Sequence, residues 1–212
     1  MRPALFSLLL LGLAACQSET DSTTDETATA EPDTAAAETA ALAEADLAVA
    51  TLAPLDSSGV SGTVEFRRIG DATEVRYAFA GLPPGEHGFH LHENASCEPA
   101  DTADDPDTDP NPGGAAGGHF NPTASPHGAP GLPMTGRHAG DFGNVTAGPD
   151  GRAEGIAIDS VLTFEGPTAL VGHAVIVHEN RDDLESQPGG ASGARLACGV
   201  AQAGPAQAGP AR

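Results

Sequence analysis

Short stretches in which apolar and polar residues alternate recur through the middle of the chain. Val64 and Phe66 sit between polar neighbours, and Val75, Tyr77 and Phe79 repeat the pattern after a Gly70-Asp71 turn signal. Phe89 and Leu91 interleave with His90 and His92, and Ile156 and Ile158 follow an Asp150-Gly151 turn signal. Ala174, Ile176 and His178 interleave with Val175 and Val177. A period of two puts successive side chains on opposite faces of a strand. Short runs of this kind, cut by Gly, Asp and Pro, predict an all-β domain, an antiparallel sandwich or barrel. No stretch keeps a helical period over three turns.

Two intervals are too long for hairpin loops. Residues 93–143 hold no strand pattern longer than three or four residues, and residues 179–194 are rich in Gly and polar side chains. Long irregular loops inside a compact domain are usually functional.

The ends read differently. Arg2 precedes an apolar run from Ala4 to Leu13, too short to span a bilayer and suited to the core of a signal peptide, assigned here to residues 1–15. Leu13-Ala14-Ala15-Cys16 resembles a bacterial lipobox, which would make Cys16 the lipidated first residue of an exported protein. An ordinary signal peptide cut nearby is the alternative. Residues 17–46 carry nine acidic side chains, no basic one and a single large apolar residue, Leu42, too little to offset the entropy of ordering. Residues 16–53 are therefore predicted to be a solvated tether, with a fraying helix near 35–45 as its only structure. Residues 202–212 are predicted to be a disordered tail, leaving 54–201 for the fold.

Composition narrows the function. The 212-residue chain has 30 Asp and Glu against 9 basic residues, all Arg, for a formal charge of -21. Such a chain does not neutralise phosphates, which excludes nucleic acid as a partner. All eight His fall between residues 87 and 178. In a strand, His90 and His92 point to one face, so both imidazoles can meet one ion. His119, His127 and His138, with Asp141, offer three nitrogens and one oxygen in a Gly- and Pro-rich loop, a tetrahedral set that suits zinc.

These residues resemble the copper-zinc superoxide dismutase family. The matching segments are GFHLHE (88–93), GGHFNP (117–122), HGAPG (127–131), RHAGDFGNV (137–145), GHAVIVHENRDDL (172–184) and GARLACGV (193–200), in the family's order. The resemblance implies a Greek-key β-sandwich or barrel of about eight strands, with the two long loops functional. It implies copper held by His90, His92, His119 and His178, and zinc held by His119, His127, His138 and Asp141. His119 would then bridge both metals. Asp182 matches a carboxylate that accepts bonds from one copper ligand and one zinc ligand, Arg195 the arginine that attracts and orients the anion, and His87 and His173 no ligand position. Cys97 and Cys198, an even pair in an exported chain where oxidation is expected, match the family's disulfide.

The activity so implied is dismutation of superoxide to dioxygen and hydrogen peroxide, by alternating reduction and reoxidation of copper beside a structural zinc. A bacterial lipoprotein held at the membrane through Cys16 and facing the periplasm is the implied setting, with monomer and homodimer both open. Two departures stand out. The Asp- and Pro-rich insertion at 99–113 lacks the ligand spacing and glycine of a calcium loop, and reads as a solvated insertion. Lysines that would steer superoxide are absent, so guidance falls to Arg195 and the metals, with a weaker salt dependence than in a lysine-rich relative. The rival reading, a non-catalytic copper-carrying lipoprotein on the same scaffold, would be expected to lack a copper ligand or the arginine; all are present.

Overall fold

The computed structural model describes residues 46–101 and 110–204. The leader, Cys16, the tether through residue 45, most of the Asp-rich insertion and the tail from 205 lie outside the described residues. Among the described residues nine strands form the fold: β1 (Leu47–Pro54), β2 (Ser61–Ile69), β3 (Ala72–Ala80), β4 (Gly85–His92), β5 (Asp141–Ala147), β6 (Arg152–Asp159), β7 (Ala174–His178), β8 (Arg195–Val200) and the short β9 (Gln202–Ala203). They hydrogen-bond antiparallel in the order β5-β4-β7-β8-β1-β2-β3-β6, with β9 on β1. The end strands β5 and β6 pack beside each other, so the sheet curls into a nearly closed Greek-key barrel. Among the described residues there is no α-helix.

The interior follows the alternation. Val64, Phe66, Val75, Phe79, Phe89 and Leu91 are buried in one core, with Val145, Val175 and Val177. Each such side chain contributes roughly 1.5–3 kcal/mol on leaving water. Ile156 and Ile158 behave differently: they are 52% and 60% exposed, and β6 turns Ala153 and Asp159 inward instead.

Three sequence-based boundaries are corrected. The domain begins at Leu47, not residue 54: Leu47, Ala48, Ala50 and Leu52 of β1 are buried, and small alanines disguise the alternation as tether. It ends past 201, because β9 pairs Ala203 with Ala48 and Gln202 with Val49. Strand β5 emerges within the supposed loop 93–143; its pairing with β4 shifts register at Gly88 and His90, a bulge that breaks the period of two.

A second apolar cluster lies outside the barrel. Strand β7 is buried on both faces, and Ala174 and Ile176 pack with Ala116 and Cys198 beside Leu55 and Cys97. The loop that follows β4 covers this face. A disulfide joins Cys97 to Cys198 across 101 residues, with Cα atoms 5.7 Å apart.

Candidate metal centre

The roofed outer face of β4 and β7 carries the histidines. With Phe89 and Leu91 turned into the barrel, His90 and His92 project from the other side of β4, and β7 pairs alongside to bring in His178. The loop returns His119 to bridge with His92. His90, His92, His119 and His178 place one ring nitrogen each within 4.8 Å of the others, and one ring nitrogen each of His119, His127 and His138 lies equally close to the others and to a carboxylate oxygen of Asp141. His119 belongs to both groups.

Hydrogen bonds say which nitrogen of each ring is free to bind. His92 Nδ1 lies 2.9 Å from Gly117 O and His178 Nδ1 3.1 Å from Gly193 O. A carbonyl only accepts, so both Nδ1 atoms carry protons and both Nε2 atoms present lone pairs. Those Nε2 atoms face each other at 3.3 Å. Burial first, then neighbouring imidazoles and Arg195, hold His92 well below its usual range and His178 down to about 3, so no proton relieves the pair. Two facing lone pairs without a proton are what a cation resolves.

Asp182 fixes two further rings. Its Oδ2 accepts from His90 Nε2 at 2.8 Å and its Oδ1 from His127 Nε2 at 2.9 Å. The remaining Nδ1 atoms of His90 and His127, and that of His138, are buried without a hydrogen-bond partner. Asp141 Oδ1 lies 2.7, 3.0 and 3.2 Å from the Nδ1 atoms of His119, His127 and His138. Spacings near 3 Å between donors suit a tetrahedron with arms of about 2 Å, the zinc geometry. Burial lowers the His127 pKa, but Asp141 and Asp182 on either side outweigh it and push it up to about 9. Against its own burial, the hydrogen bond from His119 and the adjacent rings of His127 and His138 hold Asp141 well below the carboxylate range.

Several positioning residues escaped the motif reading. Arg137, only 1% exposed, bonds Asp159 at 2.5 Å and donates to the carbonyls of Leu132, His138, Ala139 and Asp141, holding the turn that presents two donors. Asp141 Oδ2 in turn accepts from the backbone N–H groups of Gly128 and His138. Asn144 grips Asp182 through both its N–H and its carbonyl. Gly140 must lack a Cβ, which would fall 2.1 Å from Leu91 O, and one on Gly190 would fall 1.9 Å from Asp182 Oδ1. Only burial and partner geometry mark these roles.

A cleft of about 440 Å³ opens above the first group, lined by His92, His119, His178, Asn111, Arg195 and residues 186–189 and 191–194. Arg195 donates to Gly113 O at 2.6 Å and Gly117 O at 2.7 Å, and is the one arginine lining the cleft among the described residues. Arg181, the cation of the 179–194 loop, pairs with Glu86. His87 and His173 join neither group. His87 sits between the carbonyls of His178 and Pro83, and the His173 ring packs at a tilt against Phe120 with its Nδ1 3.2 Å from His92 O.

The sequence profile of copper/zinc superoxide dismutase matches residues 60–201. The chain belongs to the copper/zinc superoxide dismutase family. A superoxide dismutase [Cu-Zn] from Deinococcus radiodurans is 39% identical over 151 residues, covering 70% of this chain and 81% of that relative. The crystal structure of a protein described as the clock protein EA4 superposes with a TM-score of 0.62 at 30% identity, over 74% of this chain and 94% of the other. Copper/zinc superoxide dismutases use copper and zinc, and the two donor groups have the chemistry for such a pair: all-imidazole for copper, imidazole plus carboxylate for zinc.

Proposed function

We propose that the chain dismutates superoxide, with His90, His92, His119 and His178 holding copper, and His119, His127, His138 and Asp141 holding zinc. The observation that carries the reading is the sharing of His119 between two complete donor groups, one bordering a cleft that also holds an arginine. When bound, copper would supply the one-electron redox chemistry that converts two superoxide anions and two protons to dioxygen and hydrogen peroxide, and zinc would supply positive charge without redox chemistry.

The protein's own part is positioning and field. Arg195, planar and permanently charged, attracts and orients the anion from the cleft wall. The carbonyls of Gly113 and Gly117 hold its guanidinium in place. His119 turns Nδ1 to Asp141, leaving Nε2 as the atom that can hold or give up a proton at the cleft floor. Asp182 keeps His90 and His127 in one tautomer, so each offers Nδ1 as a neutral donor once a metal displaces any proton.

The test follows superoxide decay by the zinc- and copper-loaded chain beside His92→Ala, with metal content measured. Fast decay that needs copper and falls at least about a hundredfold in the variant is expected. Tight copper binding without turnover would leave a copper carrier instead. The same reading has the chain exported and lipid-anchored at Cys16 on the periplasmic side, supported by the leader and by the oxidised cysteine pair. The mass of the mature N-terminal peptide tests it: an unmodified N-terminus at any other residue would exclude the anchor.

A further inference from the structure

One wall of the cleft is the segment 186–194, and its tip is bonded largely to itself. Ser186 donates through N–H and Oγ–H to the Asp183 carboxylate, at 2.8 and 2.5 Å, and Gly190 N–H donates to Ser186 O at 2.7 Å. Leu184 N–H donates to Asp182 Oδ1 at the base of the same loop. Among the described residues, the hydrogen bonds that carry 184–189 to another loop are made by Gln187. Its Oε1 accepts from His127 N–H at 2.8 Å, and its Nε2 donates to His127 O at 3.0 Å and to Glu185 O at 3.1 Å. An amide that engages both backbone groups of one residue acts like a neighbouring strand, fixing direction as well as distance. Two residues along, Gly189 stands so close to the cleft floor that a Cβ there would lie 3.3 Å from His119 Nε2.

We propose that Gln187 is a positioning residue that sets how near this wall stands to His119, and thereby how bulky an anion or chelator can reach the floor of the cleft. The inference rests on the four-histidine group holding copper. Released from His127, the tip keeps its internal bonds and pivots on its base, widening the cleft without touching a metal donor.

The experiment uses the full chain loaded with zinc and copper, as wild type, Gln187→Ala and Gln187→Glu. The glutamate keeps an acceptor for the His127 N–H and loses the donor to its carbonyl, so it opens the clamp with little change of volume. Two probes are compared: the rate at which diethyldithiocarbamate, a bulky chelator, extracts copper, and the dissociation constant of azide, which is small. Zinc content and melting temperature are recorded beside them. Extraction is expected to quicken about tenfold in both variants, a size that one or two lost net hydrogen bonds allow, while azide affinity moves less than about twofold and zinc stays. Should Gln187→Ala shed zinc, Gln187→Glu carries the comparison. Unchanged extraction from loaded, folded variants would overturn the inference, as would equal shifts for both probes, which would make Gln187 a general stabiliser. A wild type that takes up no copper would remove the functional reading and this inference with it, whereas failure in the variants alone leaves the functional reading standing.

Discussion

His90, His92 and His178 stand on two adjacent strands, whereas His127, His138 and Asp141 come from one irregular stretch that ends at the first residue of β5. The strand-borne donors take their backbone positions from register, with His90 opposite Ile176 and His92 opposite Ala174, and each ring is then turned by a single hydrogen bond, to Asp182, Gly117 or Gly193. The loop-borne donors depend on dedicated supports: the buried Arg137–Asp159 pair, the Gly140 approach to Leu91, and backbone bonds to Asp141. Electrostatics differ in the same direction. Burial keeps His90, His92 and His178 neutral, while the carboxylates around His127 favour its charged form. A site set on strands is ready to bind a cation without losing protons from those rings; a site set on a loop is held together by charge until the metal arrives.

Breaking the disulfide should separate the two regions most strongly. Cys97→Ser with Cys198→Ser releases a loop closed across 101 residues, worth on the order of 4–5 kcal/mol in the chain-entropy account. The freed loop carries Gly113 and Gly117, so Arg195 loses its anchors, while His127, His138 and Asp141 keep their own supports. Denaturant unfolding and zinc retention check this; zinc loss as large as the loss of superoxide decay would contradict it.

Asp182→Asn should couple the regions again. The carboxylate accepts from a ring on each side, and an amide offers only one accepting atom for the two. Affinity for both metals is expected to fall about 10–100-fold in competition titrations. A fall confined to one metal would mean that the bridge serves one site only.

The smallest effect is also the most diagnostic, because its sign differs between the regions. In the metal-free chain, His90, His92 and His178 have folded pKa values below the ordinary 6.5, so the unfolded state binds protons first. Their contribution is present above pH 6.5 and is lost as the pH falls toward the His178 value of about 3. His127 is raised to about 9, so its contribution is complete below 6.5 and is lost as the pH climbs through 9. Urea unfolding across this range should show both limbs, with His127→Asn removing the alkaline one alone. Zinc uptake near pH 7 should then expel about one proton from His127, measurable by titration calorimetry in buffers of different ionisation enthalpy.

Local pattern made most strands legible, since alternation is a property of neighbours: Val64 with Phe66, Val75 with Phe79, Phe89 with Leu91. It misled at Ile156 and Ile158, where the apolar positions are the outward ones, and at β1, where alanines hide a buried face. The donor types and their motif order were also written in the chain, because imidazole and carboxylate chemistry does not depend on the fold. What only the tertiary structure decided is which ring nitrogen each histidine keeps free, that the two rings Asp182 holds are those of His90 and His127, and that Arg137, Asn144 and Gln187 hold the loops in place. Those facts live in hydrogen bonds between residues up to 92 apart in sequence, as for His90 and Asp182, and no local period encodes a partner that only the closed barrel brings within reach.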